Sequence, residues 1–272
     1  MNNNKIPIVT IHNGDQPYFK KLLELNSRYN SNIIVLTDCD KKKENGINFV
    51  NYNNLKVPEI KVFKTSYEHL NTTPFDYEIF CYLRWFIILE FMKKNNYETI
   101  FHIDSDVLVF SDPDEEFEKY KYFDFTLTHR TTASSSFFTL KGLEKFCDFM
   151  LDLFLDKNKY EYQKIASHFH VRQKFNLPGG VCDMTFFHNY DYKMSGLIGE
   201  MMYIVDDSTY DHNINDDDHV WDFKNGIKQF DFIEGFPYCY NKKLKKKIKF
   251  NSIHLQGGAK NFVFQIENFL NN

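Results

Sequence analysis

Residues 99–109 read Thr-Ile-Phe-His-Ile-Asp-Ser-Asp-Val-Leu-Val, an apolar run that ends in a pair of aspartates. The run over Thr99–Ile103 predicts a short buried strand. If the chain stays extended through Asp104 and Asp106, both side chains point to the same face. Open α/β sheets bind ligands at the carboxyl ends of their strands, and paired carboxylates suit Mg²⁺ or Mn²⁺. Because a solvated turn has the same pattern, the surrounding sequence has to decide between the two interpretations.

The segment before this strand predicts a helix that is buried on all sides. Tyr77–Lys94 carries apolar side chains on nearly every helical face. Arg84 lies in the middle of it. Since an unpaired charge in a core is costly, we expect Arg84 to reach either an anion or the edge of the protein.

The rest of the chain predicts an α/β architecture. Apolar runs at Ile6–Ile11, Ile33–Thr37 and Ile47–Tyr52 alternate with helical spacing after Pro17, which is typical of a parallel sheet with helices on its faces. Beyond residue 120 the pattern becomes mixed. There we predict strands at Phe123–Thr128, Phe137–Leu140 and Asn251–His254, and helices at Leu143–Leu155, near Asp183–His188 and from about Asn261.

Composition excludes several classes of protein. The chain has 272 residues, a net charge of −4 and 43% hydrophobic residues, which is ordinary for a globular protein and lacks the positive charge of a general nucleic-acid binder. Five cysteines without a C-x-x-C pair favour a reducing compartment. The polar start Met1–Lys5 and the absence of a long apolar run predict neither a signal peptide nor a membrane span. We therefore expect a cytoplasmic protein.

A second motif lies near the C-terminus, where the sequence reads His254-Leu-Gln-Gly257-Gly-Ala-Lys260. The imidazole can complete a metal site, the glycines allow backbone to approach a ligand closely, and the lysine can neutralise phosphate. A lone histidine after a strand is more often a hydrogen-bonded core residue. The spacing H-x-x-G-x-x-K favours the functional interpretation here.

Taken in order, the strand end at Asp38, Arg84 on its helix, the Asp104-Ser105-Asp106 motif and the H-x-x-G-x-x-K motif form a recognisable pattern. The chain resembles glycosyltransferases of the GT-A fold, most closely family 8, which contains glycogenin and bacterial lipopolysaccharide galactosyltransferases. The resemblance implies a Rossmann-like, mostly parallel sheet flanked by helices, with a smaller mixed region on the acceptor side. It also implies transfer of a sugar from a UDP sugar to a hydroxyl of a saccharide or glycoconjugate.

The resemblance also assigns roles to residues. It implies that Mn²⁺ (or Mg²⁺) bridges the donor diphosphate to Asp104, Asp106 and His254. Arg84 matches a donor-contacting arginine, and Ser105 lies between the two aspartates in the donor-binding motif. The remaining matches, to the diphosphate clamp, are Gly257 and Lys260.

The resemblance covers most of the chain and implies one domain over residues 1–272. Residues 1–110 would bind the nucleotide sugar, and residues 111–272 would form the acceptor side and carry the C-terminal motif. The sequence departs from the family at Asn261-Phe262, where Pro-Trp usually follows the lysine, and at Ser134–Ser136, where the family has Asn-x-Gly.

The nucleoside is expected at the carboxyl ends of the first two strands. The first strand ends in the loop Thr10-Ile11-His12-Asn13, and Asp38 follows the second strand. Tyr18 could stack on the base, although packing is the commoner role of a tyrosine in so aromatic a chain. Asp38 could accept hydrogen bonds from the base or ribose, or it could simply form a turn.

Asp183 follows Gly179-Gly180 at a predicted helix start, where a capping role would be ordinary. The resemblance places it beside the sugar, as a ligand of donor or acceptor hydroxyls or, in an inverting enzyme, as the base. We name Asp183 as the catalytic residue. The H-x-x-G-x-x-K motif implies retention of anomeric configuration, in which case Asp183 orients hydroxyls.

Two polar clusters leave alternatives open. Asp216–His219, with Asp211 and His212, is a rival metal cluster, a flexible lid or a solvated loop. The basic run Lys242–Lys249 is a solvated face or a contact for an anionic acceptor or lipid headgroups, that is, for peripheral membrane binding.

Two other functions compete with glycosyl transfer. A sugar-phosphate nucleotidyltransferase would need a glycine-rich, basic loop after the first strand, and Ile11–Asp15 is not one. A non-catalytic carbohydrate-binding protein would use the abundant aromatic side chains as a platform for sugars.

Overall fold

The structure is a computed structural model that describes residues 5–41, 43–193 and 197–270, so most of the polar start Met1–Lys5 lies outside the described residues. The helices are α1 (Pro17–Tyr29), α2 (Pro58–Ser66), α3 (Phe75–Asn95), α4 (Pro113–Phe117), α5 (Leu140–Leu155), α6 (Tyr160–Lys174), α7 (Asp183–Lys193) and α8 (Val263–Leu270), with short 3-10 helices at Tyr52–Asn54 and Gly257–Phe262. The strands are β1 (Ile8–Ile11), β2 (Ile33–Thr37), β3 (Asn48–Asn51), β4 (Thr99–Ile103), β5 (Val107–Val109), β6 (Phe125–Leu127), β7 (Ser135–Thr139), β8 (Ile198–Glu200), β9 (Ser208–Tyr210), β10 (Phe223–Lys224), β11 (Ile227–Lys228), β12 (Phe230–Ile233), β13 (Phe236–Asn241) and β14 (Lys246–His254). Among these described helices, none is long and apolar enough to cross a membrane.

The main sheet confirms the predicted α/β fold class. In the described residues it has seven strands in the order β3-β2-β1-β4-β7-β6-β8. The pairs β3-β2, β2-β1, β1-β4 and β6-β8 are parallel, whereas β7 runs antiparallel to both β4 and β6. The order of the central strands places the ends of β1 and β4 side by side, at the edge where open sheets bind ligands.

Helix α3 confirms the prediction of a helix buried on nearly all sides. It is slightly longer than predicted, because it begins directly after Pro74 and ends at Asn95, where the next residue, Asn96, adopts the left-handed conformation with φ 55°. Trp85 and Phe86 are almost fully buried in the main core. Glu78 in the first turn and Lys94 in the last have the charges that oppose the helix dipole.

The aspartate pair lies in a turn, so the expectation of an extended chain through Asp104 and Asp106 was wrong. The Val107 N–H donates to the Asp104 carbonyl at 3.1 Å. The reason is a change of sheet: β4 belongs to the main sheet, whereas β5 pairs antiparallel with β14 in a second sheet of order β12-β13-β14-β5. The two carboxylates therefore lie at the junction between the two sheets.

Strand β14 is longer than the predicted Asn251–His254, because part of the basic run is strand. Ile248 and Phe250 are buried while Lys247 is exposed, the alternation of a half-buried strand. Lys247 pairs with Asp231 at 3.1 Å, and the tip of the hairpin between β13 and β14 is exposed. Contact of this run with an anionic partner remains a prediction.

Candidate metal and nucleotide-sugar site

The carboxylates of Asp104 and Asp106 and the imidazole of His254 form one cluster. Their ligand atoms all lie within 4.8 Å of one another. The register of β5 against β14 brings them together, because His254 lies opposite Val107 and the Leu255 N–H donates to the Asp106 carbonyl at 2.8 Å. The proximity of these three predicted metal ligands therefore follows from strand pairing.

The chemistry of these side chains fits a divalent cation. Carboxylate oxygens suit Mg²⁺ and Mn²⁺, and an imidazole nitrogen shifts the preference toward a transition metal such as Mn²⁺. Ligand atoms at about 2.1 Å from a shared ion lie at most about 4.2 Å apart. The cluster therefore needs only a small contraction to hold such an ion.

The ring orientation of His254 is fixed by its neighbours. A carbonyl oxygen can only accept, so the contact between His254 Nδ1 and the His212 carbonyl identifies Nδ1 as an N–H donor. The other nitrogen, Nε2, faces Asp106 Oδ1 at 3.3 Å. Burial alone would lower the pKa of His254, but the hydrogen bond and charge of Asp106, with a contribution from Asp104, raise it to about 9. Nε2 is thus directed at the cluster and has to lose a proton to bind a metal.

Lys260 lies at the same site. Its Nζ is 3.2 Å from Asp106 Oδ2 and 5.1 Å from the centre of the Tyr18 ring. Burial alone would lower the pKa of Lys260, but the charge and hydrogen bond of Asp106, together with those of Tyr18, raise it. Gly257, which opens the 3-10 helix that carries Lys260, has φ +59°, and a Cβ there would meet no atom within 4 Å. Glycine is therefore favoured at position 257 by the positive φ angle and not by a close contact, and the space beside the motif is open.

Arg84 joins the two acidic parts of the site, which confirms the expectation that it reaches an anion. Its guanidinium donates to Asp104 Oδ1 at 2.7 Å and to Asp183 Oδ2 at 2.8 Å. Burial would raise the pKa of Asp104, but the charge of Arg84, the hydrogen bond and charge of His102 and the charge of His254 together hold that pKa well below its usual range. Contact between Arg84 and a donor sugar remains a prediction.

Asp183 is the first residue of α7 and is only 4% exposed. Its Oδ2 accepts from Arg84 and from Trp85 Nε1 at 3.0 Å, and its Oδ1 accepts from the Met184 N–H at 2.9 Å. The preceding loop approaches the backbone closely, since a Cβ on Gly180 would lie 2.2 Å from the Leu70 carbonyl. The carboxylate has a fixed orientation and, with three of about four acceptor positions used, one position left.

The predicted nucleoside-binding residues lie at the carboxyl ends of β1 and β2 and in the first turn of α1. His12 is almost buried: its Nε2 contacts Gln16 Oε1 at 2.5 Å and its ring centre lies 3.9 Å from that of Phe19. Asn13 accepts from the Tyr52 hydroxyl at 2.8 Å. The other members of this predicted group are Thr10 and Ile11, both buried, Tyr18, which is half-buried, and Asp38, which is exposed. Their role in binding a nucleoside remains a prediction.

The loop Asp216–His219, which the sequence offered as a rival metal cluster, has ordinary local hydrogen bonds. Asp217 accepts from the His219 N–H at 3.0 Å and Asp218 from the Val220 N–H at 2.9 Å. In the part of the chain that the structure describes, this loop brings no three metal-ligating side chains together. These contacts favour the interpretation of a solvated loop.

Sequence reasoning missed the residues behind His254. Asp211 accepts from the His254 backbone N–H at 3.0 Å and from Lys228 Nζ at 2.9 Å. In the sequence Asp211 lies close to the acidic loop Asp216–His219 and looks like part of it, and Lys228 has no local pattern that marks it.

Comparisons with known proteins agree with this fold. No protein-family model matches the sequence, and no curated protein matches it significantly. Among solved structures, the WbbM bifunctional glycosyltransferase is similar with a TM-score of 0.50 at 13% identity, over 98% of this chain and 50% of that one. Mouse xyloside xylosyltransferase 1 follows with a TM-score of 0.47 at 11% identity, over 72% of this chain and 84% of that one. An active-site mutant of LgtC has a TM-score of 0.46 at 9% identity, over 97% of this chain and 95% of that one.

Together, the strand order and the likeness to WbbM define the class of fold: the chain has the α/β fold of GT-A glycosyltransferases. It spans half of the WbbM chain, and at this identity the likeness concerns the fold alone.

Proposed function

We propose that this protein is a metal-dependent glycosyltransferase. It would move a sugar from a nucleotide sugar, specifically a UDP sugar, to a hydroxyl of a saccharide or glycoconjugate, with Mn²⁺ (or Mg²⁺) as cofactor. The observation that carries the proposal is the cluster of Asp104, Asp106 and His254, which lies at the ligand-binding edge of a fold shared with a glycosyltransferase.

Residues of this chain are placed to stabilise the negative charge that develops in this reaction. As the bond between the sugar and the diphosphate breaks, negative charge grows on the leaving group and has to be stabilised. Asp104, Asp106 and His254 would hold the cation, which acts as a Lewis acid toward the diphosphate. Lys260, beside Asp106, is placed to offer a second positive charge, and the open space at Gly257 admits the phosphates.

Arg84 and Asp183 would bind the transferred sugar. The last acceptor position on Asp183 can take a sugar hydroxyl, while Arg84 and Trp85 keep the carboxylate in place. This arrangement favours orientation of hydroxyls over removal of a proton from the acceptor. It supports a reaction with retention, and in that reaction Asp183 is catalytic by binding the sugar.

The proposal includes the cellular compartment of the enzyme and its contact with an anionic partner. The five cysteines without a C-x-x-C pair support a reducing, cytoplasmic compartment. The exposed hairpin tip with Lys242, Lys243 and Lys245 supports contact with an anionic acceptor or a membrane surface.

A panel of nucleotide sugars tests the reaction class. We expect one UDP sugar, with Mn²⁺, to raise the unfolding temperature and to be hydrolysed slowly to UDP, and EDTA to abolish both effects. A ligand at 100 times its Kd stabilises by about 2.7 kcal/mol, which a thermal shift detects easily. Release of pyrophosphate from a nucleoside triphosphate and a sugar phosphate would instead indicate a nucleotidyltransferase, and binding of sugars without any UDP release would indicate a carbohydrate-binding protein.

The stereochemical outcome tests the role of Asp183. We expect an α-linked first product from an α-linked UDP sugar, read by NMR from the anomeric coupling. Asp183→Asn should keep partial activity, because the amide can still hydrogen-bond to a hydroxyl. A β-linked product would overturn the assignment of retention and make Asp183 the catalytic base, in which case Asp183→Asn should lose nearly all transfer.

A further inference from the structure

Lys228 and Asp211 form the most deeply buried ion pair in the part of the chain that the structure describes. Their side chains are 5% and 1% exposed, and Lys228 Nζ lies 2.9 Å from Asp211 Oδ1. Lys228 belongs to the short strand β11 of a surface hairpin, yet its ammonium points inward and also donates to the Asn213 carbonyl. One buried ammonium therefore binds two points of the segment 211–214.

The same segment surrounds His254. Asp211 Oδ2 accepts from the His254 backbone N–H at 3.0 Å, and the His212 carbonyl accepts from the ring Nδ1. The Ile214 N–H donates to the His254 carbonyl at 3.0 Å. Three polar groups of His254 are thus held by four consecutive residues, and ring Nε2 alone faces the acidic cluster.

A buried ion pair is weak evidence for added stability. Replacing a buried ion pair with apolar side chains is often neutral or stabilising, because two charges have to be desolvated to form the pair. In some proteins a buried pair of this kind instead fixes local geometry. Here Asp211 can keep a buried charge beside the His254 backbone only while Lys228 compensates it.

We propose that Lys228 is a positioning residue for His254, acting through Asp211 and the segment 211–214 to direct ring Nε2 at the cation site. The inference rests on the proposed function for its consequence, but the position of the ring can be measured without metal or donor. Partners that fix the orientation of a metal-binding histidine typically contribute about 10–100-fold in metal affinity.

The test compares Lys228→Met with Lys224→Met, an exposed lysine on the same hairpin. Two properties are measured besides the unfolding temperature: the ¹⁵N chemical shifts of the His254 ring in the metal-free protein, and the affinity for Mn²⁺ alone from the EPR signal of the free ion. We expect Lys228→Met to change the ring shifts and to weaken Mn²⁺ binding about 10–100-fold. Lys224→Met should match the wild type in both measurements.

If Lys228→Met fails to fold, the double variant Asp211→Asn/Lys228→Met removes both buried charges and keeps an acceptor for the His254 N–H. It should fold and still show the altered ring shifts and the weaker Mn²⁺ binding. Wild-type ring shifts and Mn²⁺ affinity in either folded variant would overturn the proposal. A wild-type protein that binds no Mn²⁺ would contradict the proposed function, and the ring shifts would then decide the positioning role by themselves.

Discussion

Asp106→Asn is expected to abolish Mn²⁺-dependent sugar transfer while leaving the protein folded. Asp106 contacts both His254 and Lys260, at 3.3 and 3.2 Å, so it links the histidine ligand to the lysine of the C-terminal motif. Metal stabilisation of a leaving group contributes several kcal/mol. Because each 1.4 kcal/mol is tenfold in rate, we expect a loss of at least about 100-fold.

The fold should tolerate this change because the neighbouring charge can disappear. Asp106 helps to raise the pKa of His254 to about 9. Without the carboxylate the pKa of His254 falls, so the imidazole of the variant loses its proton at a lower pH than in the wild type and leaves less unpaired charge buried there. We therefore expect an unfolding temperature close to that of the wild type.

Asp216→Asn is the matched control for this variant. It makes the same change in the exposed loop that was the rival metal cluster. The measurement is UDP release with and without Mn²⁺, together with thermal unfolding. Full Mn²⁺-dependent activity in Asp106→Asn, or its loss in Asp216→Asn, would contradict the assignment of the metal site.

The motifs predicted the location of the site but not its construction. Asp104 and Asp106 could be found because a buried strand ends before them, and that signal is local. The turn at Ser105 could not be predicted, since it depends on the pairing of β5 with β14 in a second sheet. The same pairing, which joins segments far apart in the chain, is what places His254 beside the two aspartates.

The helices also show how far local sequence patterns can predict the fold. The long apolar pattern of α3 predicted that helix to within two residues. No prediction covered α6, although its buried residues Tyr162, Ile165, Ala166 and Phe169 follow helical spacing. Its many charged and polar residues obscured the pattern, because only the packing shows which face of such a helix is buried.

Arg84→Met is expected to destabilise the protein by about 3 kcal/mol near neutral pH, because removal of one partner from a buried ion pair leaves a charge uncompensated. The sequence predicted that Arg84 reaches either an anion or the edge of the protein, and in the structure it contacts two carboxylates, Asp104 and Asp183, which are 20 and 99 positions away in the chain. The variant leaves both carboxylates without their shared cation. Arg84→Lys should give an intermediate loss, since one ammonium cannot make both planar contacts.

The loss of stability in Arg84→Met should be larger at neutral pH than at acidic pH. In the wild type, burial would raise the pKa of Asp104, but the charges of Arg84, His102 and His254 together lower it below its usual range, with Arg84 the largest of the three. The stabilisation from this carboxylate is therefore present above about pH 4, the pKa range of an unfolded aspartate, and is lost as the pH falls below it. Without Arg84 the largest lowering contribution is gone and the pKa of Asp104 rises from its wild-type value, so the carboxylate of the variant takes up a proton at a higher pH and its charge no longer has to be buried.

Urea unfolding of the wild type and Arg84→Met at about pH 7.5 and about pH 4.5 measures this effect. The difference in unfolding free energy should be large at the higher pH and smaller at the lower one. Arg130→Met serves as the control. Arg130 is exposed and its ion pair with Glu200 is long, at 4.0 Å, so its loss should change the unfolding free energy little at either pH. A difference for Arg84→Met that is the same at both pH values would show that the side chain stabilises the fold by packing, and that its charge does not hold Asp104 and Asp183 in place.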